Sequence, residues 1–536
     1  MVCKATTFNY YNMNTLRYKN KILLVMCALT LIGVSCKKTL DVLPFTSFSD
    51  ATAFTTPARI EAAINGVYDA AQSGFYAGGA VRGYPFGAAN LTQGDMRGED
   101  MLNHALFYQI TYEATYNSTS ANQEFMFNTL YGLINKANLV IEGVNGAKTD
   151  GTITEVVANQ YIGEARFLRA MAHHELIIHF ARPFADGAGS KMGIIYREIG
   201  IASAASVEEA KSLQRTTVAD NYNKILADLD FAEANLPSLI QKTFRASKGA
   251  AIALKTRVKL HKQDWAGVVA EGNKLVSTSA PFVSSIGGYR LLPNPGDAFI
   301  LPGTTDESIF SIRNAAADNS GVNGALPNMY GDPAVGGRAL VRISPVIFNL
   351  PEWRCDDKRR ALLTQIAGGY VTNKYKDAIT SADPTPQLRY AEVILNLAEA
   401  EARISPVSPR ALALLNAIRN RALAAPATQQ FTLAAFVLPN SLVQAVHTER
   451  RIEFLAEGRR WADIHRLAAD PVSQVSGLPA KISTGGATSA MFSCGAGGTT
   501  YTLGVAAIPY ADPRFIWPIP LSETQQNPSY TQNPSY

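Results

Sequence analysis

The chain has 536 residues, 47% hydrophobic and 17% charged, which is long enough for one large core or two to three domains. Its formal net charge is +5, but residues 1–35 carry four basic side chains and no acidic one, so the remainder carries +1. This near-neutral charge argues against a nucleic-acid-binding protein and against a polybasic membrane-binding patch.

The first predicted element is a secretory signal peptide over residues 1–35. Arg17, Lys19 and Lys21 precede an apolar run that ends at small residues just before Cys36. The run is too short to span a bilayer stably, which favours removal after export over a membrane anchor. A cysteine at the cleavage point further predicts a bacterial lipoprotein, held at the membrane by acyl chains on Cys36.

Two cysteines remain in the exported chain once Cys36 carries lipid. Cys3 and Cys27 lie in the signal peptide, which leaves Cys355 and Cys494. Export permits a disulfide, but nothing in the sequence places these two side chains within bonding distance. We therefore expect two unpaired thiols.

Much of the exported chain has apolar residues at helical spacing. The clearest segments cover residues 127–141, 218–232, 250–254, 390–398 and 411–422, and Asp264-Trp265 begins a further helix. Thr216 and Thr217 are candidate caps of the second segment, and Ser405-Pro406 is a short break that predicts antiparallel helix pairs. Alanines recur on these faces and permit close approach, as in stacked tetratricopeptide pairs. The pattern predicts a mainly α-helical protein, either a solenoid of helix pairs or an ordinary bundle.

Three stretches break the helical pattern. Residues 281–386 are dense in proline and glycine, with one predicted strand over 308–313. Residues 472–515 are poor in helix formers, and residues 74–94 are rich in glycine and aromatic residues. Long irregular segments inside a domain tend to be functional, so we expect these loops to carry the binding site.

Two motifs suggest catalysis at first sight. His173, His174, Glu175 and His179 resemble a zinc-protease helix, but that motif needs histidines four residues apart, whereas His174 and His179 are five apart. These histidines are expected on a helix surface. The charged run 449–466 contains potential pairs at helical spacing, namely Arg450–Glu453, Glu457–Arg460, Arg459–Asp463 and Asp463–Arg466. Structural pairing is favoured there, with Gly458 marking a kink or a junction of two helices.

The sequence contains no phosphate-binding loop after a strand and no serine-hydrolase elbow. A glycosidase carboxylate pair is recognised in space and not by sequence spacing, so a hydrolase stays open as a minor alternative. We predict a protein with no catalytic residues, no metal site and no cofactor.

Several short motifs follow one another along the exported chain. They are Cys36-Lys-Lys-Thr-Leu-Asp41, Gly163-Glu-Ala-Arg-Phe-Leu-Arg-Ala170, Arg245-Ala-Ser-Lys-Gly-Ala-Ala251, Arg389-Tyr-Ala-Glu-Val393, Asn416-Ala-Ile-Arg-Asn-Arg-Ala422, the run Glu449–Asp463, Pro518-Ile-Pro520 and Gln-Asn-Pro-Ser-Tyr at 526–530 and 532–536. In this order they resemble the SusD/RagB family of outer-membrane nutrient-binding lipoproteins from Bacteroidetes.

The resemblance implies an all-α (mainly) fold: tetratricopeptide-like helix pairs in a right-handed superhelical scaffold, with long irregular loop insertions and a little β. It divides the exported chain into residues 36–240, with an aromatic loop at 74–117, and residues 241–536, with loop insertions at 281–386 and 472–515. It also implies a cell-surface, lipid-anchored outer-membrane protein. Such a protein captures oligosaccharides, or in some members peptides, and delivers them to a SusC-like TonB-dependent transporter.

Candidate ligand-binding residues are aromatic and polar side chains in the loops. A sugar ring packs its C–H face on an aromatic ring while its hydroxyl groups bond to polar side chains. The candidates are Tyr76, Arg82, Tyr84, Phe86, Asn90, Asp95 and Arg97 in the first loop, and Tyr289, Tyr330 and Trp353 in the middle of the chain. Each ring taken alone is more typical of a loop anchor, and family binding residues differ between members.

Three hypotheses about binding therefore stay open. The protein binds glycans for a transporter, binds peptides in the same role, or is a helical-repeat scaffold that binds only other proteins. The scarcity of tryptophan argues against a long sugar-stacking platform, because Trp353 is the one tryptophan outside the predicted scaffold. Peptides and short oligosaccharides both remain candidate ligands.

Overall fold

Helices form the framework of the computed structural model, which describes residues 52–74, 82–238, 243–301, 303–473 and 475–536. The helices are α1 (Pro57–Gln72), α2 (Ala88–Met96), α3 (Leu106–Tyr112), α4 (Ala121–Thr149), α5 (Glu155–Phe180), α6 (Ala204–Ser212), α7 (Val218–Asn235), α8 (Lys248–His261), α9 (Trp265–Leu275), α10 (Leu326–Tyr330), α11 (Pro345–Phe348), α12 (Tyr390–Ile404), α13 (Pro409–Ala422), α14 (Pro426–Gln429), α15 (Ser441–Glu453), α16 (Arg460–Leu467) and α17 (Leu521–Gln526). Short 3₁₀ turns cover Pro295–Phe299, Pro333–Val335, Lys358–Leu362, Leu433–Ala435, Ser489–Met491, Gly497–Thr500 and Pro513–Phe515.

The long helices begin where the sequence provides a side-chain cap. Thr217 caps α7 in a reciprocal arrangement with Asp220, which confirms the predicted cap. Asp264 accepts a hydrogen bond from the backbone of Gly267 at the start of α9, and Ser408 does the same for Ala411 in α13. Each predicted helical segment lies inside one of these helices, and the break at Ser405-Pro406 separates α12 from α13 as expected.

Successive long helices pack against one another in a continuous series. Helix α4 contacts α1 and α5, α5 contacts α7, and the contacts continue through α8, α9, α12 and α13. Alanine faces permit this close packing, since Ala165, Ala172, Ala250 and Ala398 are each at most 1% exposed. The main hydrophobic core lies between these helices, and a second cluster lies beneath the largest sheet.

The loop-rich stretches contain more β structure than the sequence predicted. Strands are β1 (Met101–Asn103), β2 (Ser308–Ile312), β3 (Val341–Ile343), β4 (Leu363–Ile366), β5 (Gly369–Thr372), β6 (Thr385–Arg389), β7 (Gly477–Leu478) and β8 (Ile508–Pro509). The predicted strand at 308–313 is confirmed as β2, but the expectation of a single strand in 281–386 is wrong. The other strands there have at most five residues, so their alternation of side chains covers too few positions to recognise. Only β4 and β5 pair with each other as neighbours in the chain among these strands, and β3 and β6 also pair with distant segments.

The strands form small antiparallel sheets. The largest has the order β1-β3-β5-β4, with Met101 opposite Ile343 and Gln365 opposite Tyr370. Strand β2 pairs with β6, so that Ser308 lies opposite Arg389. Residues 74–94 also include the start of α2, which the sequence pattern did not predict. The sequence does not indicate this helix because its apolar and polar residues are alike buried, so it has no amphipathic pattern.

Cys355 and Cys494 form a disulfide, with their Cα atoms 5.7 Å apart, so the expectation of two unpaired thiols is wrong. The bond joins the two loop-rich stretches across 139 residues of sequence. Sequence spacing could not reveal it, because the proximity arises when both loops pack around Phe348 and Phe492. Among the residues that the structure describes, none of the helices combines the length and apolar character required to cross a membrane.

Candidate functional site

The aromatic candidates in the described loops lie in the protein interior. Each is at most 4% exposed: Tyr84, Phe86, Tyr289, Tyr330 and Trp353. Tyr84 accepts a hydrogen bond from the Gln93 amide at 2.8 Å, and Tyr330 donates one to Asp95 at 2.7 Å. In this conformation the rings anchor the loops and present no face to a ligand.

Polar candidates near α2 are buried as well. Asn90 donates to the carbonyl oxygen of Pro85 at 2.7 Å, and burial raises the pKa of Asp95 to about 7. The Arg97 guanidinium lies 3.4 Å from the Trp461 ring centroid, and burial lowers its pKa to about 10. Arg82 differs, because it is exposed and its guanidinium lies 5.5 Å from the Phe125 ring centroid. Tyr76 and the lipidation candidate Cys36 lie outside the described residues.

The expected surface histidines are buried instead. His173, His174 and His179 are each at most 1% exposed, because α5 is covered on several sides by other elements. The His173 ring stacks on Tyr196 at 3.7 Å between centroids, and burial lowers the pKa of His174 to about 4. No cluster of three or more histidine, cysteine or acidic side chains suited to a metal ion occurs in the described part of the chain.

The charged run 449–466 belongs to a buried ionic cluster, which we call the charge junction. It comprises Glu307, Arg359, Lys374, Arg389, Arg421, Glu449, Glu453 and Glu457, each at most 6% exposed at the side chain. Gly458 stands between α15 and α16 with a φ of 71°, which confirms the predicted helix junction.

The predicted pairing within the run is mostly wrong. Asp463 and Arg466 do pair, at 2.8 Å, but Arg450 pairs with Asp463 instead of Glu453. The turn at Gly458 separates Glu457 from Arg460, which pairs with Glu99 instead. Arg450 and Glu453 share α15, but each finds its partners on other elements. Glu453 instead receives Arg421 at 2.8 Å, Arg359 at 3.2 Å and Arg389 at 3.3 Å. These charges are matched and enclosed, which is the arrangement of a structural cluster.

A cleft of about 510 Å³ lies beside α1, at residues that sequence reasoning did not select. We call it the α1 cleft, and its lining residues are Asn65, Tyr68, Asp69, Gln72, Phe244, Arg245, Ser311, Ile312, Arg313 and Asp318. Its volume is within the range of small-ligand sites. It is the candidate functional site.

Helix α1 builds one wall of the cleft. Asn65, Tyr68, Asp69 and Gln72 are spaced by three and four residues and therefore share one helix face. The opposite face carries Ile60, Ile64, Val67 and Ala71, each at most 1% exposed. This pairing of a polar, aromatic face with a fully apolar one was visible in the sequence and is the signal that could have located the wall.

The other wall comes from the start of α8 and the end of β2. Phe244 and Arg245 precede the α8 cap Ser247, and the Ser311 backbone N–H donates to the Thr243 carbonyl oxygen at 2.9 Å. The Gln72 amide closes the end of the cleft by donating to the carbonyl oxygens of Arg313 at 2.8 Å and Asp318 at 3.1 Å. No sequence pattern indicates this convergence, because the three segments lie far apart in the chain.

Arg245 is the best-held charge in the cleft. It pairs with the buried Glu164 at 2.6 Å and donates to the Asn65 side chain at 2.9 Å. Burial lowers its pKa, but the hydrogen bonds and charge of Glu164 outweigh burial and leave the pKa raised. Its guanidinium lies 5.1 Å from the Tyr68 ring centroid, and Tyr68 donates to Glu164 at 2.6 Å. Arg245 therefore fixes Tyr68 at the wall.

Other polar groups in the cleft are open to solvent. Asp69, Arg313 and Asp318 are exposed, and the half-buried Phe244 ring lies with its centroid 5.8 Å from the Arg313 guanidinium. Burial raises the pKa of Asp69, Lys136 lowers it, and the charge of Asp318 raises it. The cleft thus combines half-buried rings with exposed hydrogen-bonding groups.

A second cleft, of about 450 Å³, lies between α15, α16 and residues 473 and 475–480. Its described walls hold no phenylalanine, tyrosine or tryptophan, and its arginines are already paired, Arg451 with Asp100 at 2.5 Å and Arg460 with Glu99 at 2.6 Å. It offers less to a sugar ring than the α1 cleft does.

Comparison with known proteins identifies the family. The SusD family profile matches residues 362–536, and a related SusD-like profile, described as "Starch-binding associating with outer membrane", matches residues 39–260. The chain belongs to the SusD/RagB family. This is a family of binding proteins and not of enzymes.

Individual relatives agree with this assignment. SusD-like protein P2 from Formosa agariphila is 24% identical over 497 residues, covering 84% of this chain and 90% of its own. A SusD superfamily protein from Bacteroides fragilis is 25% identical, with a TM-score of 0.72, covering 89% of this chain and 100% of its own. A SusD-like carbohydrate binding protein from Bacteroides vulgatus is 16% identical, with a TM-score of 0.70, covering 90% and 100%. The mainly helical fold is therefore SusD-like.

Proposed function

We propose that this protein is an outer-membrane lipoprotein that binds oligosaccharides in the α1 cleft and delivers them to a SusC-like TonB-dependent transporter. The observation that carries the proposal is the composition of the cleft. Half-buried Tyr68 and Phe244 lie beside exposed carboxylate, amide and guanidinium groups. A sugar needs this combination, because its C–H face packs on a ring while its hydroxyl groups both donate and accept.

The family relationship supports a carbohydrate ligand. One matching profile is described as starch-binding and associated with the outer membrane, and a structural relative is described as carbohydrate binding. Among the ligand candidates from the sequence that the structure describes, Arg82 is the exposed one, and a ligand role for it stays a prediction. The buried candidates are assigned here to the support of the loops.

The anchor and the transporter partner rest on sequence and family. A lipidated Cys36 would hold the protein at the cell surface, where nutrient capture takes place. The helix pairs α4–α5, α8–α9 and α12–α13 suit a tetratricopeptide-like right-handed superhelix, and we retain the division at residues 240 and 241 as a proposal. Radiolabelled palmitate should label the native protein, and Cys36→Ser should remove both the label and the membrane fraction.

Calorimetry with the purified mature chain tests the ligand. We expect linear glucose oligosaccharides to bind, and Phe244→Ala to weaken binding about tenfold, which corresponds to about 1.4 kcal/mol. The matched control is Phe431→Ala, because Phe431 is also half-buried beneath an arginine, with Arg419 at 4.2 Å, and does not line the cleft. The control should bind like the wild type.

A panel of other glycans and a panel of short peptides complete the experiment. If peptides bind and glycans do not, the peptide alternative replaces this proposal. If neither class binds while the transporter still co-purifies, the protein is a protein-binding scaffold. Equal loss of binding in both phenylalanine variants would show that the α1 cleft is not the site.

A further inference from the structure

We propose that the α1 cleft selects uncharged glycans and rejects glycans that carry carboxylate, sulfate or phosphate groups. This inference rests on the proposed function and adds the substrate class. It follows from which charges around the cleft are already neutralised and which remain available to a ligand.

The cationic side of the cleft is largely occupied by partners within the protein. Arg245 is paired with the buried Glu164 at 2.6 Å, and Glu61 lies 3.9 Å from the same guanidinium. It also bonds to Asn65 and lies against Tyr68. An anionic ligand would have to displace these contacts before it could pair with Arg245. Such an exchange leaves Glu164 buried without its partner, which is strongly unfavourable.

The anionic side remains open. Asp69 and Asp318 both line the cleft and both are exposed, and they are close enough for the charge of Asp318 to raise the pKa of Asp69. The nearest cation to Asp69 is Lys136, at 4.0 Å, and both partners of this pair are more than half exposed. An exposed ion pair of this kind contributes little interaction free energy, so the two carboxylates keep most of their negative electrostatic potential at the cleft.

The balance of charge is therefore negative. Four carboxylates stand at the cleft or against its arginine, Glu61, Asp69, Glu164 and Asp318, and three cations accompany them, Lys136, Arg245 and Arg313. Arg313 is the cation whose guanidinium has no carboxylate within ion-pair distance among the described residues, and it lies over Phe244. One available guanidinium faces two available carboxylates.

Carboxylates suit a neutral sugar for a specific reason. Each ionised carboxylate offers two oxygens that only accept hydrogen bonds, and neighbouring hydroxyl groups of a sugar can donate to both. Hydrogen bonds to an ionised acceptor are stronger than those between neutral groups. A sulfate or uronate group brings further acceptors and a negative charge into the same space, so it loses these bonds and is repelled.

The test compares neutral and anionic oligosaccharides of equal length by calorimetry at low ionic strength. The probes are maltohexaose and its sulfated derivative, with a hexamer of galacturonate as the carboxylate arm. One unit of like-charge repulsion across a solvated cleft is worth about fivefold to tenfold in affinity. We expect the wild type to bind maltohexaose at least about fivefold more tightly than either anionic probe.

Two variants assign the effect to the named side chains. Asp69→Asn combined with Asp318→Asn should reduce the preference for the neutral probe, mostly by tightening the anionic probes. Arg313→Gln should increase the preference. The matched control is Glu198→Gln combined with Glu208→Gln, which changes the net charge equally at exposed positions outside the cleft. It should leave the preference unchanged.

The outcomes separate this inference from the proposed function. If the wild type binds anionic probes as tightly as maltohexaose, or if the aspartate and control variants behave alike, charge selection is wrong while oligosaccharide binding stands. If no glycan binds under any condition, the proposed function fails and this inference fails with it. Circular dichroism of each variant checks that the fold is retained.

Discussion

The charge junction and the α1 cleft both bring arginines and carboxylates together, but they do so in opposite surroundings. At the junction Glu453 is 3% exposed and accepts three guanidinium groups, whereas at the cleft Asp69 is 59% exposed and lies 4.0 Å from one lysine. Enclosed and matched charges hold elements together. Exposed and incompletely matched charges remain available to a ligand. The sequence run 449–466 is the denser of the two in charge, yet the sparser cleft is the candidate site.

The largest expected effect comes from opening the junction. Glu453→Gln removes the carboxylate shared by Arg359, Arg389 and Arg421 and leaves the buried cluster with one positive charge in excess. We expect the free energy of unfolding to fall by about 3–5 kcal/mol. Urea denaturation followed by circular dichroism measures this quantity.

Glu198→Gln is the matched control for that experiment. Its pair with Lys224 is formed at 2.5 Å, but the two side chains are 49% and 44% exposed. An exposed pair of this kind contributes less than about 1 kcal/mol. Equal losses in the two variants would contradict the distinction between enclosed and exposed charge.

The next effect comes from the disulfide that joins the loop-rich stretches. Replacing Cys355 and Cys494 together by serine should lower the free energy of unfolding by about 2–4 kcal/mol, because the bond restricts a long loop of the unfolded chain. Glycan affinity should not change, since neither cysteine lines the α1 cleft. If reductant leaves the free energy of unfolding of the wild type unchanged, as it should that of the double variant, the bond contributes nothing to stability.

Asp463 lies in the same charged run, 449–466, but outside the charge junction, and it should make the stability depend on acid. Burial raises the pKa of Asp463, but Arg450 and Arg466 outweigh burial and lower it from 3.8 to about 2. A carboxylate with a lowered folded-state pKa contributes stability above the unfolded pKa, and this contribution is lost as the pH falls from about 4 to about 2. Its size is about 2 kcal/mol.

Asp463→Asn tests this pH dependence. The gap in unfolding free energy between wild type and variant should be widest above pH 5 and should shrink by about 2 kcal/mol towards pH 2. Asp306→Asn is the exposed control, since Asp306 pairs with Arg290 at 40% side-chain exposure. A gap that stays constant with pH would place the contribution of Asp463 in packing and not in its charge.

Local features of the sequence predicted much of the helical framework. Thr217 and Asp264 cap helices where expected, and Gly458 separates two helices as expected, because each acts through neighbours within a few residues. The cleft and the disulfide depend on contacts between segments far apart in the chain. Phe244, Arg313 and Cys355 carry no local signal of their partners, and the face of α1 with Tyr68 and Asp69 was the one wall a helical pattern could have indicated.

The smallest expected effect separates anchors from ligand contacts. Tyr84→Phe removes the hydroxyl that accepts from Gln93 at 2.8 Å and leaves a buried amide without that acceptor. We expect a loss of about 1 kcal/mol in unfolding free energy and no change in glycan affinity, because Tyr84 is 2% exposed and does not line the α1 cleft. Phe244→Ala should show the reverse pattern, a small change in stability and a clear loss of affinity. Weaker glycan binding by Tyr84→Phe at unchanged stability would show that Tyr84 contacts the ligand. The aromatic loop would then be part of the binding site, as the sequence predicts.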